Sequence, residues 1–383
     1  MTNWKADKDT ALRKPAKKKR SQKQEMRDRL TKDMSRKWPT TKLGAAGFRN
    51  PAMWCYRNSI LQAMMHLPIF INWIKTHQAG RGSCADTAKA GRKPSPRNSR
   101  PRRRCIACAF KRLSEVYWEE PRNTTNIENE LKAFNRVAND AGWQYKSENE
   151  EADTHDFITE LVNHLAGGLG GPPQMPVDMI NALFKVEIQT RRKCKRKGCG
   201  HIHTKQHTDH EFGLSIGITD PAKNLNISKY LDRYFQTRTD DDAKCDKCHS
   251  KSSMPRIMTI EAAPEVLLVQ FKRFQTEMVM RRGRVVDTVI RKLESDVRFD
   301  VWLDLSKYQT DPDHREAGSL RYKLSSVVYH EGTKDGGHYV ARVTGPLGVR
   351  YVNDNSVERA TLSSLIQPRD RGFTPYVLVY TKC

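Results

Sequence analysis

This sequence predicts an α+β chain, on two observations. Up to about residue 175, apolar residues recur at helical spacing. From Met179 onward the pattern changes to short β-rich segments separated by turn residues, as in a mainly antiparallel sheet. A third observation bounds the ordered part. Hydrophobic residues make up only 37% of the chain, and the formal net charge is +24.

That charge is concentrated. Residues 1–42 carry 15 Lys and Arg against 5 Asp and Glu, and residues 80–112 carry 11 against 1. Both segments are poor in aliphatic residues and cannot bury enough surface to offset the entropy of ordering. Residues 1–43 are therefore read as a disordered basic tail and residues 80–104 as a basic insertion. The runs "RKPAKKKR" (13–20) and "RPRRRC" (100–105) have the composition of nuclear-import signals or nucleic-acid patches, or of a solubilising tail.

Ordered structure is expected from about Gly44. Residues 56–66 place Ile60, Leu61, Met64 and Met65 at helical spacing, and Pro68 ends that run. After the insertion, "CIACAFKRLSEVYWEE" (105–120), "NIENELKAFNRVANDAG" (126–142) and "THDFITELVNHLAGGLGG" (154–171) read as helices. The strands follow: "LFKVEIQTRRKC", "FGLSIGI", "RIMTIEA", "EVLLVQFKRF", "YKLSSVVYHEG", "HYVARVTG", "RYVND" and "YVLVYTK". No internal repeat is present.

"MTNWKADKDTALRK" has no apolar core, so no secretory signal is expected. The window Ile60–Ile74 is interrupted by Gln62, His66, Pro68 and Asn72, so no membrane span is expected either. Nine cysteines in such a chain point to thiols and metal ligands rather than disulfides.

Two close cysteine pairs, Cys194/Cys199 in "CKRKGC" and Cys245/Cys248 in "CDKC", lie on a long β-rich segment. Such pairs supply the four thiolates of a tetrahedral zinc site that clamps a ribbon with little core of its own. His201, His203 and His249 are nearby substitutes. With no open position the zinc would be structural, about one per chain. Cys105 and Cys108 in "CIAC", with Cys84, are a weaker case. They fall one helical turn apart beside Phe110 and Leu113, and a buried apolar face is the expectation.

Cys55 has no close cysteine partner and sits at a predicted helix start, where free backbone N–H groups favour a thiolate. A buried structural cysteine explains that position equally well. A nucleophile needs a base, and "YHEGTKDGGHYVARVTGPLGVRYVNDNSV" (329–357) offers one. His338 follows two glycines that permit close approach and begins an alternating strand. The next strand ends in Asn353-Asp354, which antiparallel pairing brings beside the imidazole as an orienting group.

Together these segments resemble the ubiquitin-specific proteases, papain-like cysteine deubiquitinases. "GFRNPAMWCYRNSILQ" is similar to that family's cysteine box, G-L-x-N-x-G-N-T-C-Y-x-N-S-x-L-Q. "EEADTHDFITEL" is similar to its Q-Q-D-A-x-E-F-L stretch, and the paired cysteines to its zinc-bearing fingers. "VLLVQFKRF" matches its V-L-x-x-x-L-K-R-F strand, "GGHYVARV…YVNDNSV" its histidine box, and "PYVLVYTK" its last strand. The resemblance covers roughly residues 44–383, with the motifs in order.

What the resemblance implies is a papain-like fold with a helical thumb (44–175), β fingers (183–260) and an antiparallel β palm (260–383). Cys55 would be the nucleophile and His338 the general base. Asn353 would be the third member, with Asp354 an alternative or supporting group. Asn50 would help to stabilise the oxyanion, and Asp153 and Asp156 would face the basic tail of ubiquitin. The box departs from the usual form at Ala52, Met53 and Trp54, and Glu151 and Ala152 replace paired glutamines. A bulky Trp54 would reshape or narrow the tail channel. The expected function is hydrolysis of the bond after ubiquitin's C-terminal glycine. The alternatives are a ubiquitin-binding pseudoenzyme and a protein that acts on nucleic acid or an acidic partner through residues 1–42 and 80–112. The basic runs favour a nuclear location.

Overall fold

The structure is a computed structural model, and it describes residues 21–79, 84, 105–141, 152–167, 173–207, 212–218, 225–281, 284–311, 313, 315–333 and 336–383. The run at 13–20 and nearly all of the basic insertion lie outside the described residues.

The first element departs from expectation. Residues 22–31 form helix α1 (Gln22–Thr31), capped by Ser21, whose Oγ accepts from the Gln24 amide at 3.1 Å. The stretch has the polar composition of the expected disordered tail, and polar contacts are what hold it. Arg27 is buried, donating to Glu187 and to the Lys185 carbonyl, each at 2.6 Å. Asp28 pairs with Lys382 at 2.8 Å, and Arg36 with Glu265 at 2.6 Å. Hydrophobic periodicity cannot detect a helix attached through ion pairs.

The thumb is built from α2 (Cys55–Met65), α3 (Pro68–Ile74), α4 (Ile106–Tyr117), α5 (Thr124–Asp140), α6 (Thr154–Leu165) and α7 (Val177–Phe184). Pro68 stops α2 and also opens α3, where its fixed φ suits a first helical turn. Every residue of α2 is buried, so this helix runs through the middle of the molecule.

The fingers are an antiparallel sheet in the order β2-β1-β6-β5, made from β1 (Glu187–Lys193), β2 (Ile202–His207), β5 (Arg238–Lys244) and β6 (Lys251–Ala262). The middle of the predicted finger segment does not stay there. β3 (Leu214–Gly217) pairs in parallel with β7 (Val266–Lys272) at the palm edge. α8 (Ile227–Phe235), which follows the two-residue β4 (Leu225–Asn226), packs under the same sheet. Leu214, Ile216, Ile227 and Leu231 are fully buried there, which a thin four-stranded ribbon cannot offer.

The hairpin β8 (Phe274–Arg281) and β9 (Arg284–Lys292) stands apart as its own two-stranded sheet. β10 (Val297–Arg298) pairs with β4. The palm continues through β11 (Trp302–Asp304), β12 (Arg321–Gly332), β13 (Gly337–Gly345), β14 (Gly348–Asn353), β15 (Ser356–Arg359), the short helix α9 (Leu362–Leu365) and β16 (Thr374–Lys382). Its order is β15-β14-β13-β12-β16-β7-β3, with β11 beside β12. Both faces are covered, and side chains alternate between them. Val377 and Val379 join the thumb core, whereas Leu378 and Tyr380 join the core over α8. That double burial explains the unbroken apolar runs "VLLV" (266–269) and "YVLVY" (376–380).

Candidate active site

Cys55 is the first residue of α2 and is 4% exposed. The preceding loop is held by side chains of the helix itself. Gln62 Nε2 donates to the Ala46 carbonyl at 2.6 Å, and Tyr117 Oη donates to Gln62 Oε1 at 2.8 Å while accepting from the Ala46 amide at 2.9 Å. One turn earlier on the same helix, Asn58 Nδ2 donates to Asp354 Oδ1 at 2.8 Å. Asn58 and Gln62 thus form a polar i, i+4 pair on a fully buried helix. That pattern was visible in the sequence and was not read as a loop anchor.

α2 packs against β13, the strand that carries His338. The loop before Cys55 also meets the β14–β15 turn. The Phe48 amide donates to the Asp354 carbonyl at 2.8 Å, and a Cβ on Gly47 would lie 2.3 Å from the Asn355 carbonyl oxygen. Only glycine permits that approach. Asp354 itself adopts φ +49° in the turn.

His338 is half-buried, and its Nε2 lies 2.7 Å from Asn353 Oδ1 across the β13–β14 pair. An amide oxygen can only accept, so Nε2 carries the proton and Nδ1 presents a lone pair. Asp354 does not share that contact. Its carboxylate accepts from Asn50 Nδ2 at 3.0 Å and from Asn58 Nδ2 at 2.8 Å. Asn50 in turn accepts from the Trp54 amide through Oδ1 at 2.9 Å. Asn50 is therefore fixed at both ends of its side-chain amide, beside the start of α2.

Gly337 permits the close backbone approach expected of it, since a Cβ there would lie 2.5 Å from the Glu331 carbonyl oxygen. A Cβ there would lie 2.4 Å from His330 Nε2, so the glycine makes room for a buried histidine. His330 sits among Phe274, Tyr339 and Tyr376, and burial lowers its pKa to about 3, helped by Lys292, Arg273 and His338. Tyr339, next to His338, is raised well above the ordinary tyrosine value, first by burial and then by negative charge at Asp153, Tyr376 and Cys55.

Asp153 and Asp156 open α6 and are differently placed. Asp153 caps the helix, accepting from the His155 amide at 2.6 Å, and also accepts from Tyr376 Oη. Burial raises its pKa. Asp156 is exposed, and partial desolvation with the nearby Asp153 raises it too. Thr154 Oγ1 donates to the Tyr56 carbonyl at 2.8 Å, which ties this helix start to α2. Glu151 lies outside the described residues.

Trp54 is 5% exposed, and its ring packs with Arg57, whose guanidinium carbon lies 5.9 Å from the ring centroid. Arg57 is itself buried over Tyr56 and Phe157. The indole is thus turned into the thumb rather than standing in the solvent.

At the tip of the fingers, Cys194, Cys199, Cys245 and Cys248 bring four sulfurs within 4.8 Å of one another. Cys194–Cys248 and Cys199–Cys245 are each 3.8 Å apart, against about 3.8 Å along the edge of a zinc–thiolate tetrahedron. The two knuckles match. Gly200 and His249, each directly after the second cysteine of its pair, both have φ +55°. The Ser250 hydroxyl, with its amide, lowers the pKa of the Cys248 thiol. These residues fit a structural metal ion.

The cysteines of "CIAC" are buried in the thumb core with Phe110 and Leu113, as expected of an apolar helix face. Cys105 is the N-cap of α4, and Cys84, Cys105 and Cys108 converge with His77. Among the described residues no helix is long and apolar enough to cross a membrane.

Comparison with known proteins points to one family. The family model described as ubiquitin carboxyl-terminal hydrolase matches residues 46–380. Ubiquitin carboxyl-terminal hydrolase 36 of Drosophila melanogaster is 25% identical over 342 residues, covering 86% of this chain and 29% of that protein. Ubiquitin carboxyl-terminal hydrolase 8 of Saccharomyces cerevisiae is 24% identical over 368 residues, covering 88% of this chain and 70% of that protein. The chain thus spans under a third of the Drosophila relative. Among solved structures, the SAGA DUB module of Ubp8, Sgf11, Sus1 and Sgf73 bound to monoubiquitin aligns with a TM-score of 0.68 at 21% identity, over 90% of this chain and 70% of that one. The same module bound to ubiquitin aldehyde gives 0.66 at 21% identity, over 88% and 69%. Both show a shared fold.

Proposed function

This chain belongs to the ubiquitin carboxyl-terminal hydrolase family, and from that premise we propose that it is a cysteine deubiquitinase acting after the C-terminal glycine of ubiquitin. The observation that carries the reading is the His338–Asn353 contact on the strand against which the Cys55 helix packs. In this reading His338 Nδ1 takes the Cys55 proton, and the thiolate attacks the glycyl carbonyl carbon. The oxyanion that forms is met by Asn50 and by backbone N–H groups at the start of α2, a term worth about 3 kcal/mol for one such donor. The protonated His338 gives its proton to the leaving amine as the C–N bond breaks, leaving a thioester on Cys55. Water, deprotonated by the same histidine, then releases ubiquitin as a carboxylate and restores the thiol.

Asn353 orients the imidazole, and Asp354 acts indirectly by fixing Asn50. Asp156, the exposed carboxylate of the α6 start, faces the arginines of the ubiquitin tail, with Asp153 behind it. Zinc on the four finger cysteines braces the ribbon without taking part in the chemistry. The domain reading becomes a catalytic domain from about residue 21, because α1 is attached to it. The inward Trp54 favours an enzyme over a blocked pseudoenzyme. The basic runs support nuclear residence and a nucleic-acid or acidic partner as accessory properties.

The test is labelling with ubiquitin that carries a C-terminal electrophile. Wild type should couple at Cys55 and Cys55→Ala should not. Hydrolysis retained by Cys55→Ala would overturn the assignment.

A further inference from the structure

We infer that the tip of the fingers is a docking surface for the phosphate backbone of duplex DNA. Its cations are Lys195, Arg196 and Lys197 in the first cysteine knuckle and Lys244, Lys247 and Lys251 around the second. The surface belongs to the folded domain, apart from the basic runs at 13–20 and 100–105 and from the proposed chemistry at Cys55.

Charge density carries the proposal. Residues 191–205, from the end of β1 into β2, carry seven Lys and Arg and no Asp or Glu. Residues 244–256 add four Lys and Arg against Asp246 alone. Of the acids on the adjoining strand β5, Asp240 is taken up by Arg192 and Arg256, and Asp241 accepts from Ser253 Oγ at 2.9 Å. The six cations of the tip are all exposed, and among the described residues none of them stands in an ion pair.

The fold makes no use of this charge. Lys244 and Lys251 are directly opposite each other in the β5–β6 ladder, and like charges so placed destabilise a sheet. Four thiolates on one divalent ion carry two net negative charges, too few to balance the cations around them. A bound polyanion would remove the repulsion.

The two knuckles are closed and joined. The Cys194 amide donates to the His201 carbonyl at 2.8 Å, and the Cys245 amide to the Ser250 carbonyl at 3.0 Å. Arg196 Nη1 reaches the Cys248 carbonyl at 3.4 Å, linking one knuckle to the other. The four strands in the order β2-β1-β6-β5 span about 14 Å. The major groove of B-DNA is about 12 Å wide, so the tip matches the phosphates on its two sides.

The class of partner follows from what the tip offers. Across 193–202 and 244–251 there is no Phe, Tyr or Trp, and Ile202 is the one exposed large hydrophobic. A protein interface is anchored by such side chains, and single strands stack on aromatic rings. Phosphate contacts need neither, and they position a protein without reading sequence. An RNA duplex has a narrow major groove that does not fit this span.

The experiment is fluorescence anisotropy of the full chain with a labelled DNA duplex of mixed sequence, over a salt series. Lys195→Gln/Arg196→Gln/Lys197→Gln should weaken binding about 10-fold and lower the slope of log K against log[salt] by about 3. Lys195→Arg/Lys197→Arg, which keeps the charge, should bind as wild type does. Lys251→Gln should weaken binding while its urea midpoint stays at or above the wild-type value, since it removes a like-charge pair. Lys17→Gln/Lys18→Gln/Lys19→Gln, an equal loss of charge in the run at 13–20, should weaken binding less than the fingertip triple variant. Single-stranded DNA and an RNA duplex of the same sequence should bind more weakly, and polyglutamate should compete poorly. Wild-type affinity and slope in the fingertip triple variant overturn the proposal. So do an equal loss in the two triple variants, a loss shared by the Arg variant, or a preference for polyglutamate, single strand or RNA.

Discussion

Asn353 Oδ1 lies 2.7 Å from His338 Nε2, and this contact selects the tautomer that leaves Nδ1 able to accept a proton. Replacing Asn353 by Ala should release the ring and lower kcat/KM by about 100-fold, within the range for positioned acid–base groups. Asn353→Asp, which keeps an acceptor oxygen, should lose much less. Steady-state hydrolysis of a C-terminal ubiquitin amide reads both variants. Equal losses in the two would show that the contact orients nothing.

Asp354 gives a separable prediction, because its carboxylate serves Asn50 and Asn58 rather than His338. Asp354→Asn sets amide donors against two amide donors. It should lower kcat by about 10- to 100-fold through a displaced Asn50, with KM nearly unchanged. It should also cost about 1–3 kcal/mol of stability from the unmatched buried donors. The pH–rate profile should keep its shape, since the imidazole retains Asn353. A displaced profile would instead make Asp354 a direct partner of His338.

These two neighbours mark how far the sequence could be read. Spacing and strand alternation placed Asn353-Asp354 beside the histidine, but a side chain's direction in a turn at φ +49° depends on the tertiary partner that meets it. The α2 helix and the palm strands were legible because burial leaves a periodic apolar trace. α1 left none, since Arg27, Asp28 and Arg36 attach it through charge. The thumb cysteines were legible as a buried apolar face and no further. Cys105-x2-Cys108 fits an apolar helix face, and His77 becomes their neighbour only through the packing of α3 against α4.

The fingers should depend on their metal while the chemistry does not. Cys245→Ser/Cys248→Ser removes two of four converging sulfurs from the tip of the fingers, where the described residues around them form a small cluster with Met254. One equivalent of zinc should disappear, and KM for a ubiquitin substrate should rise at least tenfold. Turnover of a short peptide amide ending in Gly-Gly should stay within about twofold, because the peptide makes no use of the fingers. A parallel loss on both substrates would mean that the sheet supports the active site itself.

Two buried histidines should make the fold acid-sensitive well above the range where carboxylates protonate. His66 is fully buried among Trp38, Tyr117 and Trp118, and its Nδ1 faces the Gln62 carbonyl at 2.8 Å. Burial, with Arg122 nearby, lowers its pKa to about 4. His330 is lowered to about 3 by burial and by Lys292, Arg273 and His338. Both values lie below the unfolded value near 6.5. Between those limits the unfolded chain binds protons that the folded chain refuses, so stability must fall as pH falls. The slope is about 1.4 kcal/mol per pH unit for each histidine. It begins near pH 6.5, ends near 4 for His66 and near 3 for His330, and vanishes above pH 7. Urea unfolding at pH 7.5, 6 and 5 should show this decline, and His66→Gln and His330→Gln should each flatten it by about one proton. Variants that are less stable at every pH but keep the wild-type slope would show that these rings do not control the acid response.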